Sequence, residues 1–190
     1  MSEHTEKSTY RAPPGDLVHV KEFVNSVDFE DDIERLDSPA ALRDWFAERG
    51  WLDRGERLTD ADLRQALEVR EAIRSLLLAN NGHALDEQAV DSLNSAAARA
   101  EILVRFDDGG AGDLAPARSG IDGALGHLLA IVYRSMAEDT WPRLKACPYH
   151  TCKWAFYDHS KNRSGTWCDM AVCGNRAKAQ AYRDRRAKRA

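Results

Sequence analysis

All four cysteines of the chain fall within its last 44 residues, at Cys147, Cys152, Cys168 and Cys173. They form a C-x4-C pair, a spacer of 15 residues and a second C-x4-C pair. Two short pairs joined by a loop can bring four thiolates to one point, the ligand set of a closed, tetrahedral structural zinc site. Such a site has no open position for water or substrate, so one Zn2+ would hold the fold and do no catalysis. The competing reading, a pair of disulfides, needs an oxidising compartment. The opening residues MSEHTEKSTYRAPPGD lack the apolar stretch of a secretory signal, so zinc and a cytoplasmic location are the expectation. No apolar run approaches the roughly 20 residues of a membrane span. His150, inside the first pair, is expected at the surface or behind the ligands.

The spacer has the composition of a small fold around a metal. KWAFYD alternates aromatic residues and reads as a strand, HSKNRSG as a turn, and TWC as a returning strand. Trp154, Phe156 and Trp167 are the candidate core of a module otherwise too small to have one. After Cys173 comes a helix crowded with Arg176, Lys178, Arg183, Arg185, Arg186, Lys188 and Arg189, in which Tyr182 is the large apolar residue and Asp184 the acid. It has almost no face to bury. Its cations suit phosphate contacts, with Lys161 and Arg163 of the SKNRSG segment adding two more.

Charge divides the chain in the same place. The net charge of -4 conceals 12 Lys and Arg against 3 Asp and Glu from Arg143 onward, which leaves 15 against 28 before it. A basic module on an acidic body is a recognised pattern for polyanion binding, although such a tail also serves solubility or docks on its own body.

The acidic part reads as mainly helical. Ser38-Pro39 is an N-cap followed by proline at the first helical position, and AALRDWFAERG then runs to a glycine stop. Thr59 or Asp60 caps a helix with Leu63, Leu67, Arg70, Ile73 and Leu77 at three- and four-residue spacing, ended by Asn80-Asn81-Gly82. Asp86 caps a third, with Val90, Leu93 and Ala97 facing inward. EILVRFDDGGAGDLAPARS reads as a hairpin, and a helix follows from about Ile121 to Ala137. The segment from Leu17 to Phe29 suits a strand or a helix, and helix is preferred. His19, Asn25 and Arg70 are candidates for a polar ligand pocket, though a histidine beside apolar residues is commonly structural. The fold expected is mainly α with a small β-hairpin. Its parts would be an N-terminal lead-in over 1–15, a helical regulatory domain over 16–139 and a finger over 140–190.

Cys173-Gly174-Asn175-Arg176 is very similar to the CGNR zinc-finger family, which is named for these residues. The match extends back through Cys147, Cys152, the KNRS segment (Lys161 to Ser164) and Trp167-Cys168, and forward to Ala179. Upstream, FVNS (Phe23 to Ser26), the Ser38-Pro39 helix start and the Leu63–Leu77 helix resemble the ABATE domain that precedes this finger. The resemblance implies a bacterial stress-induced transcription regulator with a treble-clef finger that binds zinc and DNA, and a domain that takes a small-molecule effector or regulates. It implies the four cysteines as ligands, Gly174 at a close turn, Asn175 capping or bracing the helix, and Arg176 facing phosphate or the hairpin.

Function is therefore expected to be DNA binding, not enzymatic catalysis. A nuclease of the His-metal-finger type is suggested by Asp158-His159 and Asn162, but it needs a further metal-binding histidine or acid on the following helix, where no histidine occurs and Asp184 is far along. An RNA- or protein-binding adaptor would use the same basic helix. A regulator that reads a palindrome would be a two-fold homodimer, although no heptad marks such an interface.

Overall fold

The computed structural model describes residues 12–188. The lead-in expected over 1–15 and the cation Arg189 therefore lie largely or wholly outside the described residues. Helix α1, Leu17–Val24, buries Leu17, Val20, Phe23 and Val24. It does not run on to Phe29 as expected. The chain turns at Asn25 and Ser26 into β1, Val27–Asp28, which pairs antiparallel with β2, Ile33–Glu34. The Asp28 carboxylate accepts from the amides of Glu30 and Asp31, which closes this small ribbon and competes with helix.

Three caps work as the sequence indicates. The Ser38 hydroxyl accepts from the Ala41 amide at the start of α2, Pro39–Ala47. Thr59, not Asp60, caps α3, Asp60–Ala79, in a reciprocal box with Asp62. Asp86 caps α4, Glu87–Ala100. The buried stripe of α4 is Ala89, Ala96 and Ala100, while the expected Val90, Leu93 and Ala97 are half-buried. The reason lies in α5, Gly120–Ala137, the most buried helix of the body. A Cβ placed on its Gly126 would stand 2.8 Å from the Ala100 Cβ and 2.7 Å from the Pro116 Cβ. At that closeness only small side chains fit the seam.

The expected hairpin forms from β3, Ile102–Phe106, and β4, Gly112–Pro116. The core gathers Phe23, Phe46, Ile73, Leu77, Leu125 and Leu128 from four helices. It runs without a break into β5, Leu144–Ala146, and β6, Ala155–Tyr157, since Leu144, Ala146 and Ala155 belong to the same cluster.

Candidate metal centre and basic helix

The two strands flank the first cysteine pair. β5 ends immediately before Cys147, β6 starts three residues after Cys152, and the two pair antiparallel with Ala146 opposite Ala155. The knuckle between them is closed by the Cys147 amide donating to the Trp154 carbonyl at 2.9 Å. The partner of KWAFYD is therefore Leu144–Ala146 and not TWC, as the sequence suggested. What replaces a third strand is a buried ion pair. The Lys145 ammonium donates to Asp158 Oδ2 at 2.8 Å and to the carbonyls of Arg163 and Gly165 at 2.6 and 2.9 Å. Asp158 in turn accepts from the Ser160 and Gly165 amides. The loop from 160 to 165 is thus fixed by side chains, and the Lys145 ammonium serves the carbonyls of Arg163 and Gly165 that would be unpaired without a ladder.

The second pair enters from the other side. Cys168 lies in the coil after this loop, and Cys173 in a single wide turn, Met170–Gly174, that leads into α6, Asn175–Ala187. The Asp169 carboxylate accepts from the amides of Ala171 and Val172 and so anchors the turn. Asn175 braces it, donating from Nδ2 to the Ala171 carbonyl at 2.9 Å. Gly174 has an ordinary helical φ of -63°. A Cβ there would lie 2.4 Å from the sulfur of exposed Met170 and 3.2 Å from the Trp167 ring, so Met170 would have to shift to admit one.

All four sulfurs are buried and lie within 4.8 Å of one another. Cys152 and Cys168 are 3.5 Å apart and Cys168 and Cys173 3.7 Å. A tetrahedron with metal–sulfur bonds of about 2.3 Å has edges of about 3.8 Å, whereas a disulfide needs about 2.05 Å. The cysteines are free of disulfides. Nor do the thiols ionise alike. Hydrogen bonds from Cys152 and then Cys168 pull the Cys147 thiol well below its usual range, while Cys147 holds Cys152 up, and both together hold Cys168 up. Burial raises Cys173. Four thiolates so close need a cation to be charged together, and the cluster can hold one zinc ion.

The family models match both halves in order. The CGNR zinc-finger model matches residues 143–186, and the ABATE model, described as "Putative stress-induced transcription regulator", matches residues 19–139. The chain belongs to the ABATE family. Comparison with curated proteins gave no match.

In this ABATE chain the finger is welded to the body by side chains. Asn25 makes a reciprocal pair with Ala155 on β6, donating to its carbonyl at 2.9 Å and accepting from its amide at 2.7 Å. Arg74, almost fully buried on α3, donates to the carbonyls of Lys153 and Val24. Asn80 donates to the carbonyls of Trp141 and Leu144, and Asn81 to those of Ala146 and Thr166. In the sequence, Asn80 and Asn81 show only as a helix stop, and Arg74 as one charge among many. A buried-side residue of α3 that is charged was the available signal for Arg74.

The pocket candidates are each engaged in contacts within the protein. Asn25 is committed to Ala155, and Arg70 to the Ser26 hydroxyl and the Glu34 carboxylate. His19 sits edge-on to Trp51, with ring centres 5.4 Å apart.

The cations of the finger fall into two groups. Arg163 pairs with Asp139 and Arg176 with Glu30 of the β1–β2 turn. By contrast Lys161, Lys178, Arg185, Arg186 and Lys188 are exposed, and none forms an ion pair or side-chain hydrogen bond among the described residues. Arg183 is exposed and donates to Gln180. Helix α6 buries no residue. Lys178, Tyr182 and Arg185 recur at four- and three-residue spacing and share one stripe. Arg176, two residues before Lys178 and about 200° around the helix, lies on the opposite side. The Glu30 contact thus marks the side turned to the body, and the free stripe points away.

Among the described residues no helix is long and apolar enough to cross a membrane.

Proposed function

We propose that this regulator binds duplex DNA through α6, on a finger whose fold depends on zinc. The observation that carries the reading is a helix with no buried residue, launched directly from the thiolate cluster, with Lys178, Arg185, Arg186 and Lys188 unpaired among the described residues. A helix with no apolar face gains nothing from packing, so its cations have another use, and phosphate is the commonest partner for such a stripe. Tyr182, 58% exposed on the same stripe, offers a ring to a sugar or base edge. Asp158 is engaged by Lys145 at 2.8 Å, which favours binding over metal-assisted hydrolysis at the Asp158-His159 segment.

The test is fluorescence anisotropy of labelled duplex DNA with the intact, zinc-loaded chain across a salt series. If about four of these cations reach phosphate, affinity falls with a log–log slope of about -4, roughly 10^2- to 10^3-fold between 50 and 200 mM salt. Replacing both Lys178 and Arg185 with Ala should flatten the slope by about two, while Arg163→Ala, which frees Asp139, should barely change it. Binding should also be lost in Cys173→Ser. Salt-independent binding, or a preference for RNA hairpins over duplex, would refute the DNA assignment.

A further inference from the structure

Between the finger and α1 lies a cavity of about 240 Å3. The finger lines it with Trp154, Phe156, Tyr157, His159 and Trp167, and the body with Lys21. Its shape, its charge and its position each restrict what it can take.

The walls are mostly aromatic, so the space suits a flat apolar group. An apolar cavity of about 150 Å3 holds benzene, so this one has room for a single ring with a small substituent. The charge comes from Lys21. It is half-buried, and among the described residues its ammonium forms no hydrogen bond and no ion pair. The carboxylates nearby are occupied elsewhere. Glu22, its neighbour in sequence, pairs with Arg49 at 2.8 Å, and Asp158, on the cavity wall, pairs with Lys145 at 2.8 Å. One positive charge without a hydrogen-bonded or ion-paired partner among the described residues therefore borders an aromatic pocket. Burial pushes the Lys21 amine below its usual range, with Glu22 opposing, as expected of a cation short of a partner.

The position gives the cavity its interest. Cys168 is part of its wall together with Trp167, and Lys21 belongs to the helix that ends in the Asn25 clamp. An occupant would touch both the body and a cysteine of the cluster.

We propose that this cavity is a binding site for a single-ring aromatic carboxylate, with the ring against the aromatic walls and the carboxylate on the Lys21 ammonium. Only the consequence for DNA rests on the function proposed above. The binding itself does not.

The test uses the full zinc-loaded chain, titrated with benzoate and 4-hydroxybenzoate, and with benzamide as the uncharged comparison. Binding is followed by tryptophan fluorescence and by ligand-observed saturation transfer. The expected result is saturable binding with benzoate favoured over benzamide by about tenfold, the contribution of one charge-assisted hydrogen bond. Lys21→Met should remove that preference and leave zinc content at one per chain. The comparison of the two ligands in the unaltered protein needs no variant and so stands even if Lys21→Met folds poorly. Absence of saturable binding, equal affinity for benzoate and benzamide, or a preference that survives in a zinc-loaded Lys21→Met chain would overturn the proposal. Benzoate that binds in this way but leaves DNA affinity unchanged upholds the site and counts only against a regulatory use of it.

Discussion

Asn25→Ala should destabilise the whole protein, although residue 25 is 130 positions from the backbone it holds. The Asn25 amide acts as a surrogate strand neighbour: it satisfies both the N–H and the C=O of Ala155, a residue with no exposed surface. Truncation leaves two buried backbone groups without partners, at about 1–3 kcal/mol each. Water entering the vacated space would recover part of that, so a loss of about 2–4 kcal/mol is expected. For a chain of this length each kcal/mol shifts the midpoint by about 2–4 °C, which places the melting point about 4–16 °C lower. The assay is guanidinium unfolding followed by tryptophan fluorescence, paired with the rate at which a chromogenic chelator removes zinc. Because Ala155 sits on the strand that follows the first cysteine pair, zinc release should accelerate in parallel. A single transition would support the proposal that body and finger form one cooperative unit, whereas two transitions would support a division near residues 139 and 140. A change below about 0.5 kcal/mol with unaltered zinc release would refute the reasoning, since it would mean that the clamp holds nothing.

The buried pair in the finger gives a second prediction. Lys145→Met leaves the Asp158 carboxylate, 3% exposed in its side chain, without its counter-charge and should cost about 3–5 kcal/mol by denaturation. Burial by itself would raise Asp158, but hydrogen bonds from Lys145, Ser160 and Gly165 outweigh it and hold the carboxyl well below the usual carboxylate range. A lowered folded-state value means that its stabilisation is complete above about pH 4 and drains away as pH falls through and below that value, so unfolding curves should show a steep acid loss that Asp158→Asn reduces. Two glycines should respond differently to alanine. At Gly126 the new Cβ meets short side chains of Ala100 and Pro116 that cannot swing aside, at about 1–3 kcal/mol by melting, whereas at Gly174 it meets the end of exposed Met170, which can, at under about 1 kcal/mol.

How much of this was legible in the sequence depended on whether the signal was local. The four-cysteine spacing, the helix caps at Ser38, Thr59 and Asp86, and the basic helix after Cys173 are all encoded within a few residues, because capping, periodicity and ligand pairing act over one or two turns of chain. The ABATE and CGNR motifs added their order. Pairing of strands was not legible: KWAFYD alternates correctly, but nothing in alternation states which segment lies beside it, and in the fold that segment is Leu144–Ala146 and not TWC, with the Lys145–Asp158 pair fixing the intervening loop. The same holds for α4, where the larger apolar residues would have faced inward had α5 not approached so closely at Gly126.

By itself, then, the sequence determined the composition of the finger, the four cysteines that can hold a metal in it and the positive charge that it carries, since each follows from residue types at short spacing. The tertiary structure decided which of those charges are free. Arg163 and Arg176 look identical in kind to Lys178 and Arg185, but the fold brings Asp139 to the first and Glu30 to the second. It also decided that Asn25, Arg74, Asn80 and Asn81 bind the finger to the body, because a backbone carbonyl far along the chain becomes a partner only once folding has buried it and left it in need of a donor.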